Sequence, residues 1–164
     1  MTSSADPARA FRDTIGRFPT GVAIVTAIGA SGPAGMTTSA VASLSLDPLL
    51  LIVCFERRSR TLDVVRESRR FGVNVLRAGD EALATVFASK RVGPEKFEVL
   101  TEHRWSHVHG VPVLDRALAW IACDLRELLP GGDHEIGVGE VVATGAEQQG
   151  EPLVFYRGAY TTVE

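Results

Sequence analysis

The run Gly35-Met36-Thr37-Thr38-Ser39-Ala40-Val41-Ala42-Ser43-Leu44-Ser45-Leu46-Asp47-Pro48 holds the densest chemistry in the chain. Taken as extended backbone, its even positions Ala40, Ala42, Leu44 and Leu46 are apolar and expected to face a core, while Thr37, Ser39, Ser43 and Ser45 carry hydroxyls on the other face. A row of hydroxyls beside small residues and accessible backbone suits a flat heteroaromatic ring, whose edge needs donors and acceptors and whose face needs close approach. The same composition also suits a strand whose polar side meets only water. A different chemistry is offered by Arg57-Arg58-Ser59-Arg60-Thr61. If a helix starts there, its free N–H groups, the Ser and Thr hydroxyls and the guanidinium groups make an anion site suited to phosphate; a cap with a solvated basic face fits equally. Third, Gly131-Gly132-Asp133-His134 lies between two expected strands, with Tyr156 and Tyr160 near the carboxyl end. There Asp133 can orient the His134 ring or fix its tautomer beside a ligand, or the segment is an exposed hairpin loop with no such role.

Other signatures are missing. Gly137-x-Gly139 lacks a third glycine and falls inside a strand pattern, so it is no dinucleotide fingerprint. Neither a Walker loop nor a Gly-x-Ser-x-Gly nucleophile elbow occurs. His103, His107 and His109 cluster without an evident fourth ligand, and no metal is expected. Cys54 and Cys123 are far apart, each in an apolar run, and read as two buried free thiols.

The elements that must position these groups are legible in outline. Asp6-Pro7 has the form of a helix start, and Phe11, Ile15 and Phe18 recur at helical spacing up to about Phe18. Gly21 to Ile28 is β-branched and apolar, and Gly29-Ala30-Ser31-Gly32-Pro33 turns it into a second strand. Leu49 to Phe55 is apolar throughout and reads as a central strand covered on both faces. Ser59 is expected to cap a helix to about Arg69, with a strand following over Phe71 to Leu76. Asp80 is expected to cap another helix, with Leu83, Val86 and Phe87 on one side. Arg91 to Pro112 has little periodicity and reads as a long loop. Ala119, Ile121, Cys123 and Leu125 then alternate with Trp120, Ala122, Asp124 and Arg126. Further strands are expected from His134 to Thr144 and, last, from Leu153 to Tyr156. Several strands with turns between them and few helices imply a mainly β, α+β architecture: an antiparallel barrel with a few peripheral helices.

The chain has 164 residues, 45% hydrophobic and 23% charged, which suits one globular domain. Its division is read as an amino-terminal extension over 1–10, including the start of the first helix, and a single domain over 11–164. A formal charge of −3 with no long block of one sign argues against general nucleic-acid binding. The longest apolar run falls far short of the roughly 20 residues a membrane-spanning helix needs. No secretory pattern opens the sequence, and a cytoplasmic location is expected.

Read together and in order, Phe18-Pro19-Thr20-Gly21-Val22, Gly35-Met36-Thr37 through Asp47-Pro48, Ser59-Arg60-Thr61, Phe71-Gly72-Val73-Asn74-Val75-Leu76, Lys96-Phe97, Gly110-Val111-Pro112-Val113-Leu114 and Gly132-Asp133-His134 resemble the flavin reductase family with the FMN-binding split-barrel fold. The likeness extends from about residue 11 to 160 and is particularly to the small reductase components of two-component flavin monooxygenases. It implies a homodimer of antiparallel split barrels, each binding FMN or FAD near the dimer interface. It also implies NADH or NADPH as hydride donor and a separate flavin-dependent monooxygenase as recipient of the reduced flavin. By the same resemblance Met36, Thr37, Thr38, Ser39, Ser43 and Ser45 would contact the isoalloxazine ring, and Ser59, Arg60 and Thr61 the phosphate. Lys96 and Phe97 would approach the flavin, although Glu98 stands where the family pattern has a small residue. His134, with Asp133 behind it, would seat the nicotinamide nucleotide, and Tyr156 would lie near the reacting rings. An electron carrier that binds flavin without reducing it, or a split-barrel enzyme acting directly on an organic substrate, would be built on the same scaffold.

Overall fold

The computed structural model describes residues 6–91 and 93–163. Residues 1–5 of the expected extension, residue 92 of the expected loop and residue 164 lie outside the described residues. Helix α1 (Pro7–Ile15) starts as its sequence dictates, with Asp6 Oδ1 accepting from Ala8 N–H at 3.1 Å and Pro7 in the first turn. It stops at Ile15, short of Phe18, where Gly16 N–H closes on the Arg12 carbonyl at 2.9 Å. None of its residues is buried, so its apolar side covers no core of this chain.

The strand expected over Gly21–Ile28 is split. The short strand β1 (Thr20–Gly21) pairs elsewhere, and β2 (Ala23–Gly29) then forms a hairpin with β3 (Gly32–Thr38). After β3 come β4 (Val41–Leu46), β5 (Leu49–Glu56), helix α2 (Arg60–Ser68) and β6 (Arg70–Val75). Ser59 Oγ caps α2 by accepting from Leu62 N–H at 3.1 Å. Helix α3 (Glu81–Ala88) has no side-chain cap. Asp80 is buried and turns its carboxylate to Arg77 N–H and Arg116 instead, which overturns the expected capping role.

The segment read as a loop from Arg91 contains α4 (Gly93–Glu98), β7 (Trp105–Val108) and β8 (Val111–Leu114). These elements are short, and their residues answer to tertiary contacts rather than to a period of their own. Asn74 shows how: its Oδ1 accepts from Leu114 N–H at 2.8 Å and its Nδ2 donates to the Ile24 carbonyl at 3.1 Å. Thr26 Oγ1 meanwhile donates to the Pro112 carbonyl at 2.6 Å. The two longest strands, β9 (Ala119–Gly131) and β10 (His134–Ala146), follow, and β11 (Leu153–Tyr156) is not the last, since β12 (Ala159–Thr162) folds back on it.

The main sheet has the order β3-β2-β6-β9-β10-β5-β4, antiparallel at every pairing, and β1-β11-β12 and β7-β8 form two smaller sheets. Strand β5 is next to the edge rather than central. Leu51, Val53 and Phe55 are buried on one of its faces, whereas Leu50, Ile52 and Cys54 on the other are only half covered. Helix α2 closes one side of the sheet over a core that includes Phe55 and Phe71, whose rings meet edge to face at 5.8 Å. A second core gathers Phe87 of α3, Phe97 of α4 and Trp105 of β7.

The stretch from Gly35 to Asp47 is two strands broken at Ser39-Ala40, not one. Its even positions are not core: Ala40, Ala42, Leu44 and Leu46 are all exposed, Leu46 at 84%. Nor are both thiols buried, since Cys54 is only half covered while Cys123 is fully so. Among the described residues no helix is long and apolar enough to cross a membrane.

Candidate active site

A cleft of about 1440 Å³ opens where the outer edge of β3, the start of α2, the segment between α3 and α4, and the β9–β10 turn come together. Strand β3 ends the main sheet, so one side of its backbone has no strand partner among the described residues. Lys96 of α4 takes part of that edge: buried, it donates through Nζ to the Gly35 carbonyl at 3.1 Å and the Phe87 carbonyl at 2.9 Å. Burial lowers the pKa of this ammonium from its ordinary value. Thr37 Oγ1 ties the same strand to α3 by donating to the Ala84 carbonyl at 2.6 Å. Gly35 has no alternative here, because a Cβ would stand 2.7 Å from the Phe87 ring. Beyond these anchors, Thr37, Thr38, Ser39 and Ala40 line the cleft with Met36.

On another wall Ser59, Arg60 and Thr61 bring the N-terminal end of α2 to the cleft, together with Arg58. The β9–β10 turn is fastened beside them by Arg57, whose N–H donates to the Asp133 carbonyl at 3.0 Å and whose Nε donates to the His134 carbonyl at 3.3 Å. His134 lines the cleft with its Nδ1 2.7 Å from Asp133 Oδ1. That hydrogen bond, and then the charge of the ring, hold the Asp133 carboxyl below the usual carboxylate range.

The structure thus brings Met36, Thr37, Thr38, Ser39, Ser59, Arg60, Thr61, Lys96 and His134 to one cleft and leaves other expected residues off its wall. Asp133 is 93% exposed and reaches it only through His134. Phe97 packs into the second core, its ring 5.0 Å from Phe87 and 4.8 Å from Trp105. Ser43 and Ser45 lie on β4, and Ser45 Oγ accepts from Asp47 N–H at 3.2 Å. Tyr156 is exposed, whereas Phe155 before it and Tyr160 across the β11–β12 pair line the cleft; burial raises the Tyr160 phenol pKa. The alternation of a strand explains the exchange, since neighbouring residues face opposite ways.

Among the lining residues with no role expected at the site are Cys54, Ser89, Lys90 and Arg91. Lys90-Arg91, one residue beyond the helix run Leu83 to Ala88, reads locally as charge complementing a helix C-terminus, and only the fold turns it to the cleft. In a chain of formal charge −3, Arg58, Arg60, Lys90, Arg91 and Lys96 line this cleft against one carboxylate, Glu56. The arginine ion pairs among the described residues engage Arg66, Arg70, Arg116 and Arg126, all outside the cleft, and none of the five.

A model of the flavin reductase like domain matches residues 15–164. The chain belongs to this family. Relatives include the reductase subunit HsaB of a flavin-dependent monooxygenase from Rhodococcus jostii, 37% identical over 97% of this chain and 79% of its own. The reductase component of 4-nitrophenol 4-monooxygenase/4-nitrocatechol 2-monooxygenase from Rhodococcus opacus is 40% identical over 92% of this chain and 78% of its own. The NADH:FAD oxidoreductase SgcE6 of Streptomyces globisporus, solved with NAD and FAD fragments, superposes with a TM-score of 0.88 at 32% identity, covering 99% of this chain and 98% of its own.

Proposed function

We propose that the protein is an NADH-dependent flavin reductase that reduces FMN or FAD and passes the reduced flavin to a separate monooxygenase. The observation that carries this reading is the pairing, in one cleft, of a sheet-edge strand with a capped helix start and four exposed cations that have no carboxylate partner among the described residues. Those residues fit a flavin nucleotide: the strand edge offers N–H and C=O groups to the rim of a flat ring, and the helix start and Arg60 suit its phosphate. When bound, the flavin supplies an acceptor at N5 for the hydride of nicotinamide C4. The chain's task is then to hold two rings at about 3 to 3.5 Å and keep them aligned, which requires no acid or base among its side chains. Backbone at Thr37, Thr38 and Ser39 would hold one ring; Ser59, Arg60 and Thr61 its phosphate; and His134, steadied by Asp133, the nicotinamide nucleotide. Relatives named as NADH flavin reductases favour NADH as donor.

A homodimer accompanies this reading. Leu44, Leu46 and Leu49 expose 51%, 84% and 50% of their surface along β4 and the start of β5. Nearby, an apolar groove of about 540 Å³ is lined by Phe18, Val41, Ala42, Ile52 and Cys54 among others. A second copy of the chain would cover both, and the cytoplasm, where reduced nucleotide is supplied, is the compartment the reading implies. Purified protein should oxidise NADH only when FMN or FAD is added; absence of flavin-dependent oxidation would remove the proposal.

A further inference from the structure

The cleft carries more positive charge than one nucleotide needs. With Lys96 buried on two carbonyls, four exposed cations, Arg58, Arg60, Lys90 and Arg91, still stand against one carboxylate, whereas a phosphate monoester brings only about −2. The cations also lie on separate elements: Arg58 and Arg60 flank Ser59 at the start of α2, and Lys90 and Arg91 sit between α3 and α4. The second group is not a loose tail. Ser89 Oγ donates to the Val86 carbonyl at 2.6 Å and accepts from Arg91 N–H at 3.4 Å, while Ser89 N–H donates to the same carbonyl at 3.1 Å. Just beneath, Lys96 holds the Phe87 carbonyl. The backbone under Lys90 and Arg91 is therefore fixed while both side chains are exposed at the cleft wall, and neither makes an ion pair or side-chain hydrogen bond with another described residue.

We infer that Lys90 and Arg91 form a second phosphate subsite, which takes the pyrophosphate of the nicotinamide dinucleotide while Ser59 and Arg60 hold the flavin phosphate. The inference rests on the flavin reductase reading and adds which residues receive the second nucleotide. Pyrophosphate suits the pair because a guanidinium offers a planar fork and an ammonium a point charge to adjacent anionic groups.

Steady-state kinetics against NADH and against flavin, with flavin affinity from fluorescence quenching, test it on the Lys90→Gln/Arg91→Gln double variant. The KM for NADH should rise about tenfold or more through loss of charge-assisted contacts, with flavin affinity within about twofold of wild type and a shallower dependence of that KM on salt. Arg91→Lys, which keeps the charge, should recover part of the loss. Arg126→Gln removes the same charge from a residue paired with Glu140 outside the cleft and should change neither constant. Weakened flavin affinity with an unchanged NADH KM would overturn the assignment, and so would no change in either constant. In both cases a wild-type protein that turns over NADH with flavin leaves the reductase reading standing, whereas wild-type protein without that turnover removes reading and subsite together.

Discussion

Side chains at the cleft and behind it divide the labour in ways their residue types alone do not announce. His134 holds a position through Asp133 and its own backbone carbonyl, so His134→Ala should raise the KM for NADH and leave turnover at saturating NADH nearly unchanged. A large loss of turnover with unchanged KM would assign it a chemical role instead. Lys96 is structural: Lys96→Met strips the donors from two buried carbonyls and should cost about 1–3 kcal/mol in denaturant unfolding. Because burial lowers its pKa, the native state binds fewer protons there than the unfolded chain does between the lowered value and 10.5. The penalty for its charge is thus fully present below the lowered value and lifts as the pH rises through that window, so wild type should gain stability relative to Lys96→Met toward pH 10.5. The two thiols should separate cleanly. Burial, and then the Asp124 charge, push Cys123 up to about 12, while Cys54 is half covered and lines the cleft. Iodoacetamide should leave Cys123 unlabelled in the native protein and reach Cys54 from the cleft side, which a second copy on the groove leaves open, more slowly with FMN or FAD bound; equal labelling of both would contradict the placement.

At the scale of elements, the glycines of β10 set how the sheet wraps its core. A Cβ at Gly137 would stand 2.7 Å from the Phe55 ring, and one at Gly139 would collide with the Phe71 ring. Gly139→Ala should therefore destabilise the fold by about 1–3 kcal/mol through overpacking, read as a lower denaturant midpoint with flavin affinity retained. Phe71→Leu in the same background should recover part of the loss. These contacts give Gly137-x-Gly139 the packing role that its unsuitability for a phosphate loop left open. Elements with strong local signals were legible: the Ser59 cap, the β2–β3 turn and the alternation of β9 all follow from side-chain chemistry and period. The short pieces from Gly93 to Leu114 were not, because Asn74, Thr26 and the Phe87–Phe97–Trp105 cluster hold them from a distance in sequence. The same holds for the cleft. Ser59 to Thr61 could be found from a local pattern, but Lys90 and Arg91 acquire meaning only where α3 meets β3. Alternation placed Leu44 and Leu46 on a core face, yet an edge strand with one uncovered side leaves them exposed.

For the whole molecule, that uncovered side is the strongest argument for a second copy. Burying a leucine is worth about 1.5–3 kcal/mol, so an 84% exposed Leu46 beside Leu44 and Leu49 represents unspent association energy. Leu46→Glu should shift sedimentation from dimer toward monomer at micromolar concentration without lowering the thermal midpoint of the protomer's own core. A wild-type protein that sediments as a monomer would contradict the dimer. Hydride transfer in this reading requires one cleft to align a flavin with a nicotinamide. Anaerobic stopped-flow mixing of the protein and FMN or FAD with NADH reads that event directly. Rapid bleaching of the flavin band, saturating with NADH and far faster than with flavin alone, is the result expected; flavin that binds and stays oxidised would contradict that alignment and favour an electron carrier or a direct oxidase built on the same barrel.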